Sequence, residues 1–494
     1  MNSERPPLFA IAATSGPPVA ILGVPFDNVT TRQTIAIIEE MIASRRPHYL
    51  ATANVDFTVQ ALHDPELQRI LLDAHLVVCD GMPLVWASRW LGNPLPERVA
   101  GSDLAPLLLR VAAEKGYRVF FLGAEQAVAE TAIAKIRETH PGIQIAGQYS
   151  PPFSPLLEMD HDGICARIRE ANADLLFVSF GCPKQEKWIA MNYRKLGTPV
   201  SIGVGATIDF IAGHMKRAPR WMQATGLEWI YRLLQEPKRL MRRYFVDLWV
   251  FGRAILVQLW QLRTRDSGDI SSEGAQSIAT SRSASDAIHL VLSGIIDAAT
   301  ARSHQDEWLS LASAATNGLL VDCSGVQTFD SSGAGLLIRL QKNCRAAGHP
   351  MVLLAPSHNV LKALTLMRLT PVFDIAANDG DGRAILAKRF SETHTPVIGG
   401  TSPGETSWHG EVTAANVDTL WESVSDQVAK LGAGTKLRID ISAVRFVDST
   451  GVGMMIRLKK LAHIQGADVV FCRPVGPVLA VIRLLKLEAY LLES

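Results

Sequence analysis

Five short apolar runs in the first half of the chain each end in small or polar residues. Residues 48–51 lead into Thr52-Ala53-Asn54, residues 76–79 into Asp80-Gly81-Met82-Pro83, and residues 119–122 into Gly123-Ala124-Glu125. Residues 175–180 precede Gly181-Cys182-Pro183-Lys184-Gln185-Glu186, and a run from Val200 leads into Gly203-Val204-Gly205-Ala206-Thr207-Ile208-Asp209. Hydroxyl, amide and carboxyl groups gathered at run ends, with glycines among them, suit a pocket for a polar ligand. Gly123 lacks the second and third glycines of a G-x-G-x-x-G loop, which disfavours a nicotinamide cofactor.

A second chemistry lies further on. Residues 214–244 hold eight basic side chains, among them Arg232, Arg239 and Arg242, against Glu228 and Glu236. Those three arginines sit at i, i+7 and i+10, near one helical face, and supply forked donors of the kind that grips a diphosphate. Trp221, Trp229, Tyr231, Tyr244, Phe245, Trp249, Phe251 and Trp260 run through this segment and beyond it. Basic and aromatic residues side by side are what a helix lying on an anionic membrane surface presents. The most membrane-like stretch, residues 245–262, is interrupted by Asp247 and Arg253, so a surface helix is expected rather than a span.

These residues need elements to hold them. Apolar runs of four to six residues separated by helical patterns, such as residues 127–139, predict a Rossmann-like parallel sheet covered on both faces. Sequence composition divides the chain of 494 residues into 18–262, a serine-rich linker at 263–285, a domain at 286–390, a Gly/Thr/Ser-rich linker at 391–407 and a domain at 408–494. The last two domains repeat each other. Residues 321–340 align without a gap on residues 439–458, so that Asp330 matches Asp448 and Ser331 matches Ser449. Each copy reads as a strand (318–323 and 436–441), a short turn, Asp-Ser-Ser or Asp-Ser-Thr, Gly-x-Gly and an amphipathic helix, with the serine as helix cap.

The run of T-x-N, D-G-M-P, F-G-x-P-K-Q-E, G-V-G-A-x-x-D-x-x-A-G, K-R-A-P-x-W and G-L-E-W-x-x-R-L-x-x-E-P-x-R-L closely resembles the WecG/TagA/CpsF glycosyltransferases, glycosyltransferase family 26. That resemblance implies an inverting transfer from a nucleotide-diphosphate sugar, usually UDP-linked, to a glycan on polyprenyl diphosphate, with no DxD-bound metal and no cofactor. It assigns Asp80 as general base, and places Thr52, Asn54 and Gln185 around donor and acceptor. Gly123, Gly203, Gly205 and Asp209 become donor-binding positions, and Arg232, Arg239 and Arg242 hold the acceptor diphosphate. The Asp-Ser-Ser/Thr-Gly-x-Gly motif resembles the STAS domain, which implies phosphorylation at Ser331 and Ser449 and a serine kinase or anti-sigma-like protein as partner.

The remaining features narrow the class. Lysine and arginine total 49 against 48 aspartate and glutamate, a balance that argues against nucleic acid as partner. Six cysteines without a C-x-x-C spacing suggest neither a zinc site nor a disulfide framework and fit a reducing cytoplasm. Residues 1–15 lack the basic start and long apolar core of a secretory signal. Asp160-His161-Asp162 has the look of a metal-binding DxD, but its proline- and glycine-rich surroundings read as a loop entering a helix. The expectation is a transferase peripheral to the inner face of the cell membrane, acting in exopolysaccharide or other surface-glycan assembly. The competing expectation is an inert regulator of the anti-sigma factor antagonist type, working through its repeats.

Overall fold

The structure is a computed structural model that describes residues 16–219, 221–222, 227–263, 280–281, 287–394, 399–402 and 404–493. A hairpin of β1 (Val19–Ile21) and β2 (Val24–Phe26) opens the first domain. A six-stranded sheet follows: β3 (His48–Ala53), β4 (Leu76–Cys79), β5 (Arg118–Gly123), β6 (Gln144–Tyr149), β7 (Leu175–Ser179) and β8 (Val200–Gly203). Its order is β4-β3-β8-β7-β5-β6 and every pairing is parallel, which is the Rossmann-like arrangement expected. The continuous apolar runs follow from double coverage. Phe120 and Leu122 enter the core on one face, while Val119 and Phe121 enter the core on the other. Strand β6 was not legible as an apolar run because Gln144, Gly147 and Gln148 break it; it forms a half-exposed edge.

Parallel strands deliver their ends to one rim of the sheet, and side-chain caps start the next helices there. Asn54 Oδ1 accepts from Phe57 N–H to begin the helix Val55–Ala61. Asp64 accepts from the N–H groups of Glu66 and Leu67 to begin Pro65–Asp73, with proline at its first position. After the sheet come the helices Glu228–Gln235 and Pro237–Arg263, broken where Pro237 cannot continue the first. The long helix lays Leu240, Phe251 and Ile255 onto the domain, and Gln258 ties it to the hairpin through Ala20 O (3.2 Å) and Leu22 N–H (3.3 Å). Asp247 is buried on that inner side, so the charge that interrupts the apolar stretch faces protein. Its outer face shows Phe245, Trp249 and Trp260, 73%, 69% and 67% exposed. No helix among the described residues is long and apolar enough to cross a membrane.

The two repeats share one plan. In the first, β10 (Ile288–Ile296), β11 (Leu319–Phe329), β12 (Met351–Leu354) and β13 (Asp374–Ala376) are parallel, with β9 (Thr280–Ser281) antiparallel at the edge. In the second, β15 (Glu405–Val412), β16 (Lys436–Val447) and β17 (Asp468–Cys472) are parallel, with β14 (Gly399–Ser402) at the edge.

Three expectations need correction. The short turn after residues 323 and 441 is a bulged continuation of β11 and β16. Asp322 and Asp440 accept from Ser324 N–H and Ser442 N–H there, and the register slips twice in each repeat. The helix caps are Asp330 and Asp448 rather than the serines, which occupy the first helical position; a carboxylate accepts amide N–H groups without having to orient a proton. Finally, the stretches read as linkers hold regular elements: strand pairing places β9 and β14 in them, β15 already begins at Glu405, and the helix Asp379–His394 runs past residue 390.

Candidate active site

Asp80 follows the end of β4, the strand at one edge of the sheet, next to the end of β3. Its N–H donates to Ala53 O at 2.9 Å, and Gly101 N–H donates to its Oδ2 at 3.2 Å. Burial pushes its carboxyl above the ordinary carboxylate range, Arg98 and Arg232 pull it part of the way back, and Glu228 adds to the push. A carboxylate raised in this way holds a proton more strongly than a solvated one, which suits a general base.

Around it the expected residues converge. Thr52 Oγ1 donates to Gly203 O at 3.4 Å and lies close to Gly101, where an added Cβ would come within 3.1 Å of that hydroxyl. Asn54 adjoins Gly81, and its Oδ1 is spent on the helix cap. Gln185, 4% exposed, accepts from Gly181 N–H and Gly205 N–H at 3.2 Å each and donates to Glu186 Oε1 at 2.7 Å. Thr52 and Asn54 thus stand at the end of β3, Asp80 follows the adjacent β4, and Gln185 follows β7, with β8 between β3 and β7.

The glycines divide. A Cβ on Gly203 would sit 2.5 Å from Gln185 Nε2, so this glycine makes room for the glutamine. Gly123, at φ +91°, is packed against Ser179 O, where a Cβ would stand at 2.5 Å; its need for glycine is likewise met inside the protein. Gly205 turns at φ +49° with open space around it, which leaves it the freest of the three to approach a ligand. Asp209 is in the first turn of Thr207–Ala212, and the next residue, Phe210, supports the Arg232 guanidinium 4.9 Å above its ring.

Arg232 is the cationic side of the site. Its charge is felt at Asp80, and its Nε is buried without a hydrogen-bond partner. Its helix is anchored to the rim because Glu228 pairs with Arg98 at 3.0 Å, while Arg98 and Arg217 both pair with Asp103 at 3.1 and 2.7 Å. The backbone of Arg239 and Arg242 lies on the helix Pro237–Arg263, but their side chains fall outside the described residues. Ser331 and Ser449 lie in the repeats, both 0% exposed. His161 is engaged by Leu156 O at 2.8 Å and Asn192 at 3.1 Å, and Asp160 caps its helix; both have structural work that the DxD pattern does not suggest.

Sequence reasoning missed two parts of the site. Glu186 is a buried carboxyl pushed up to about 7, first by burial, with the hydrogen bond from Gln185 pulling it back. It was in plain view beside Gln185, but nothing in the chain reveals its depth. The Arg98–Glu228 pair joins residues 130 positions apart; only Glu228, inside the G-L-E-W block, carried any signal.

Comparison with known proteins decides what this rim belongs to. Residues 19–265 match the "Glycosyl transferase WecG/TagA/CpsF family". The chain belongs to this family. Residues 279–373 match "Mlab, STAS domain" and residues 406–492 match "STAS domain". The chain is thus a glycosyltransferase domain followed by two STAS domains. Over 224 residues it is 35% identical to the N-acetylglucosaminyldiphosphoundecaprenol N-acetyl-beta-D-mannosaminyltransferase of Bacillus subtilis, covering 45% of this chain and 85% of that one. The Staphylococcus aureus protein of the same name is 31% identical over 235 residues, 47% of this chain and 91% of its own. That of Bacillus spizizenii is 34% identical over 202 residues, 41% and 77% respectively. Each of the three matches spans less than half of this chain.

Proposed function

We propose that the transferase domain moves a sugar from a UDP-sugar onto a glycan carried by polyprenyl diphosphate, with inversion, in exopolysaccharide or other surface-polysaccharide assembly. The observation that carries this reading is the pair of Asp80, a carboxyl raised by burial at the sheet rim, and Arg232, a cation near it with an unpaired Nε. Asp80 takes the proton of the acceptor hydroxyl as that oxygen attacks the anomeric carbon, and the bond to the UDP oxygen breaks on the opposite face. Thr52, Asn54 and Gln185 orient the two sugars. Gly123, Gly203, Gly205 and Asp209 shape the donor side, with Gly205 closest to the phosphates. Arg232, joined by Arg239 and Arg242, holds the acceptor diphosphate through charge-assisted hydrogen bonds. The names of the relatives make N-acetylglucosaminyl-diphosphoundecaprenol the first acceptor to test and N-acetylmannosamine the first sugar.

The exposed Phe245, Trp249 and Trp260 rest on the membrane that carries this lipid, so the enzyme works as a peripheral protein at the inner membrane face. An inert regulator would have no use for a raised carboxyl beside an unpaired arginine donor, which favours the enzyme. The test is a panel of UDP-sugars assayed against polyprenyl-diphosphate glycans, with UDP release and product mass as readouts. Acceptor-dependent release with at least one donor is expected; none with any pair overturns the reading.

A further inference from the structure

Gln185 spends its amide inside the protein. At the start of the helix Lys184–Asn192, its Oε1 accepts from Gly181 N–H and Gly205 N–H at 3.2 Å each, and its Nε2 donates to Glu186 Oε1 at 2.7 Å. Both side chains are buried against Gly203, where a Cβ would come within 2.5 Å of Gln185 Nε2 and 2.9 Å of Glu186 Oε1. The carboxyl group settles which way the amide points. Turned over, the amide would set its oxygen against Glu186 and its NH2 against two N–H donors, and all of these bonds would be lost. Glu186 thus fixes Gln185, and Gln185 fixes two backbone N–H groups. From the other side Ser179 Oγ donates to Gly205 O at 2.6 Å, and Ala124 N–H donates to Ser179 O at 3.0 Å. With the bond from Thr52 Oγ1 to Gly203 O, these contacts tie together the ends of β3, β8, β7 and β5. Gly205 is held at both its N–H and its carbonyl, yet a Cβ on it would meet nothing within 4 Å. Its backbone is pinned on one side and open on the other.

We infer that Gln185 and Glu186 work as a pair of positioning residues, holding the Gly205 backbone and with it the donor side of the rim, while neither side chain touches the donor. The inference rests on the proposed reading of Gly205 as a donor-binding position. Gln185 then orients the sugar through the loop it carries and not by contact. Its oxygen has two lone pairs and both are taken by backbone N–H groups; its nitrogen faces Glu186 and Gly203 in the protein interior. What the loop needs at position 185 is an acceptor for two N–H groups, fixed from behind by a hydrogen bond. An amide at 185 with a carboxyl at 186 meets that need, and so does the reverse arrangement. A side chain that donated to a sugar would have no such freedom, because a carboxylate in its place has no proton to give.

The reversed pair, Q185E/E186Q, tests this on the full chain beside Glu186→Ala. Two quantities are measured: hydrogen exchange at the Gly181 and Gly205 N–H groups, and affinity for UDP-N-acetylmannosamine by titration. Glu186→Ala removes the bond that sets the amide, so exchange at both glycines should speed about tenfold or more and donor affinity should fall about tenfold. In turnover that loss should appear in the donor KM, with the acceptor KM held. Q185E/E186Q rebuilds the bonds with their polarity exchanged and should return exchange and donor affinity to within about threefold of wild type. Slow exchange in the reversed pair with donor affinity still lost would mean that the Gln185 amide meets the ligand itself, and would overturn the inference. Wild-type exchange in Glu186→Ala, or fast exchange in the reversed pair, would overturn it as well. Should Glu186→Ala fail to fold, the reversed pair, which only exchanges an amide and a carboxyl between neighbours, decides alone. A wild type that binds no UDP-sugar would instead count against the donor reading, and exchange at Gly205 would still show whether the pair holds the loop.

Discussion

The rim of the transferase sheet and the flank that carries the STAS domains are both rich in buried charge, yet they are built differently. On the flank several buried charges meet an opposite: Arg69 with Asp73 and Glu411, Arg345 with Asp73, Lys187 with Asp64 and Glu66, Arg339 with Asp27. On the rim, Asp80 Oδ2 accepts from one backbone N–H, and Arg232 Nε is buried without a hydrogen-bond partner among the described residues. Burying a charged group without a hydrogen-bond partner costs more than burying a neutral one, so a buried arginine donor left unmatched on the rim suits an anionic ligand there. Paired charge marks assembly here and unpaired charge marks chemistry.

The sharpest way to break this contrast is at Asp80. Asp80→Asn should lower transfer by about 10²–10⁴-fold, the usual contribution of a general base, with donor affinity retained, as measured by turnover and UDP-sugar titration. The next largest effect is expected at Arg232→Ala: a loss of about 10–100-fold in kcat/KM for the lipid-linked acceptor, with donor binding held. Arg339→Ala, on the paired side, should leave donor and acceptor kinetics alone and lower only the melting temperature. Replacing Trp249 and Trp260 by serine should weaken binding to anionic vesicles by about tenfold or more while turnover on a short-chain soluble acceptor is unchanged.

The smallest effects are those of pH. A base role for Asp80 requires it ionised, so under this proposal kcat/KM should fall as pH drops, and the fall should begin above the ordinary carboxylate range because burial raises this group. Glu186 holds its proton more tightly folded, near 7, than unfolded, near 4.5. The stability this contributes is complete below pH 4.5 and lost as pH rises toward 7. Glu186→Gln should remove that part of the slope, about 1–3 kcal/mol, in denaturant titrations at the two ends of the range.

Much of this was legible in the sequence, for a physical reason. Doubly covered parallel strands must be continuous apolar runs, so β3, β4, β5, β7 and β8 could be read directly, along with the residues at their ends. Asp80, Thr52, Asn54 and Gln185 stood among the polar residues at or just past the ends of those runs, and the family resemblance picked them out from the rest. Edge strand β6 could not, since exposure on its open side removes the apolar signal. The caps at Asp330 and Asp448 were missed because aspartate and serine both start helices and only geometry separates them. The Arg98–Glu228 anchor and the depth of Glu186 depend on tertiary packing between distant segments, which no local pattern encodes.

The central claim is that the rim transfers a sugar through Asp80. The most direct measurement is UDP released per lipid-linked glycan formed, by wild type and Asp80→Asn side by side, with and without polyprenyl-diphosphate acceptor. The expected result is one UDP per product in the wild type, only when acceptor is present, and almost none in the variant despite bound donor. Equal turnover by the two proteins would contradict it.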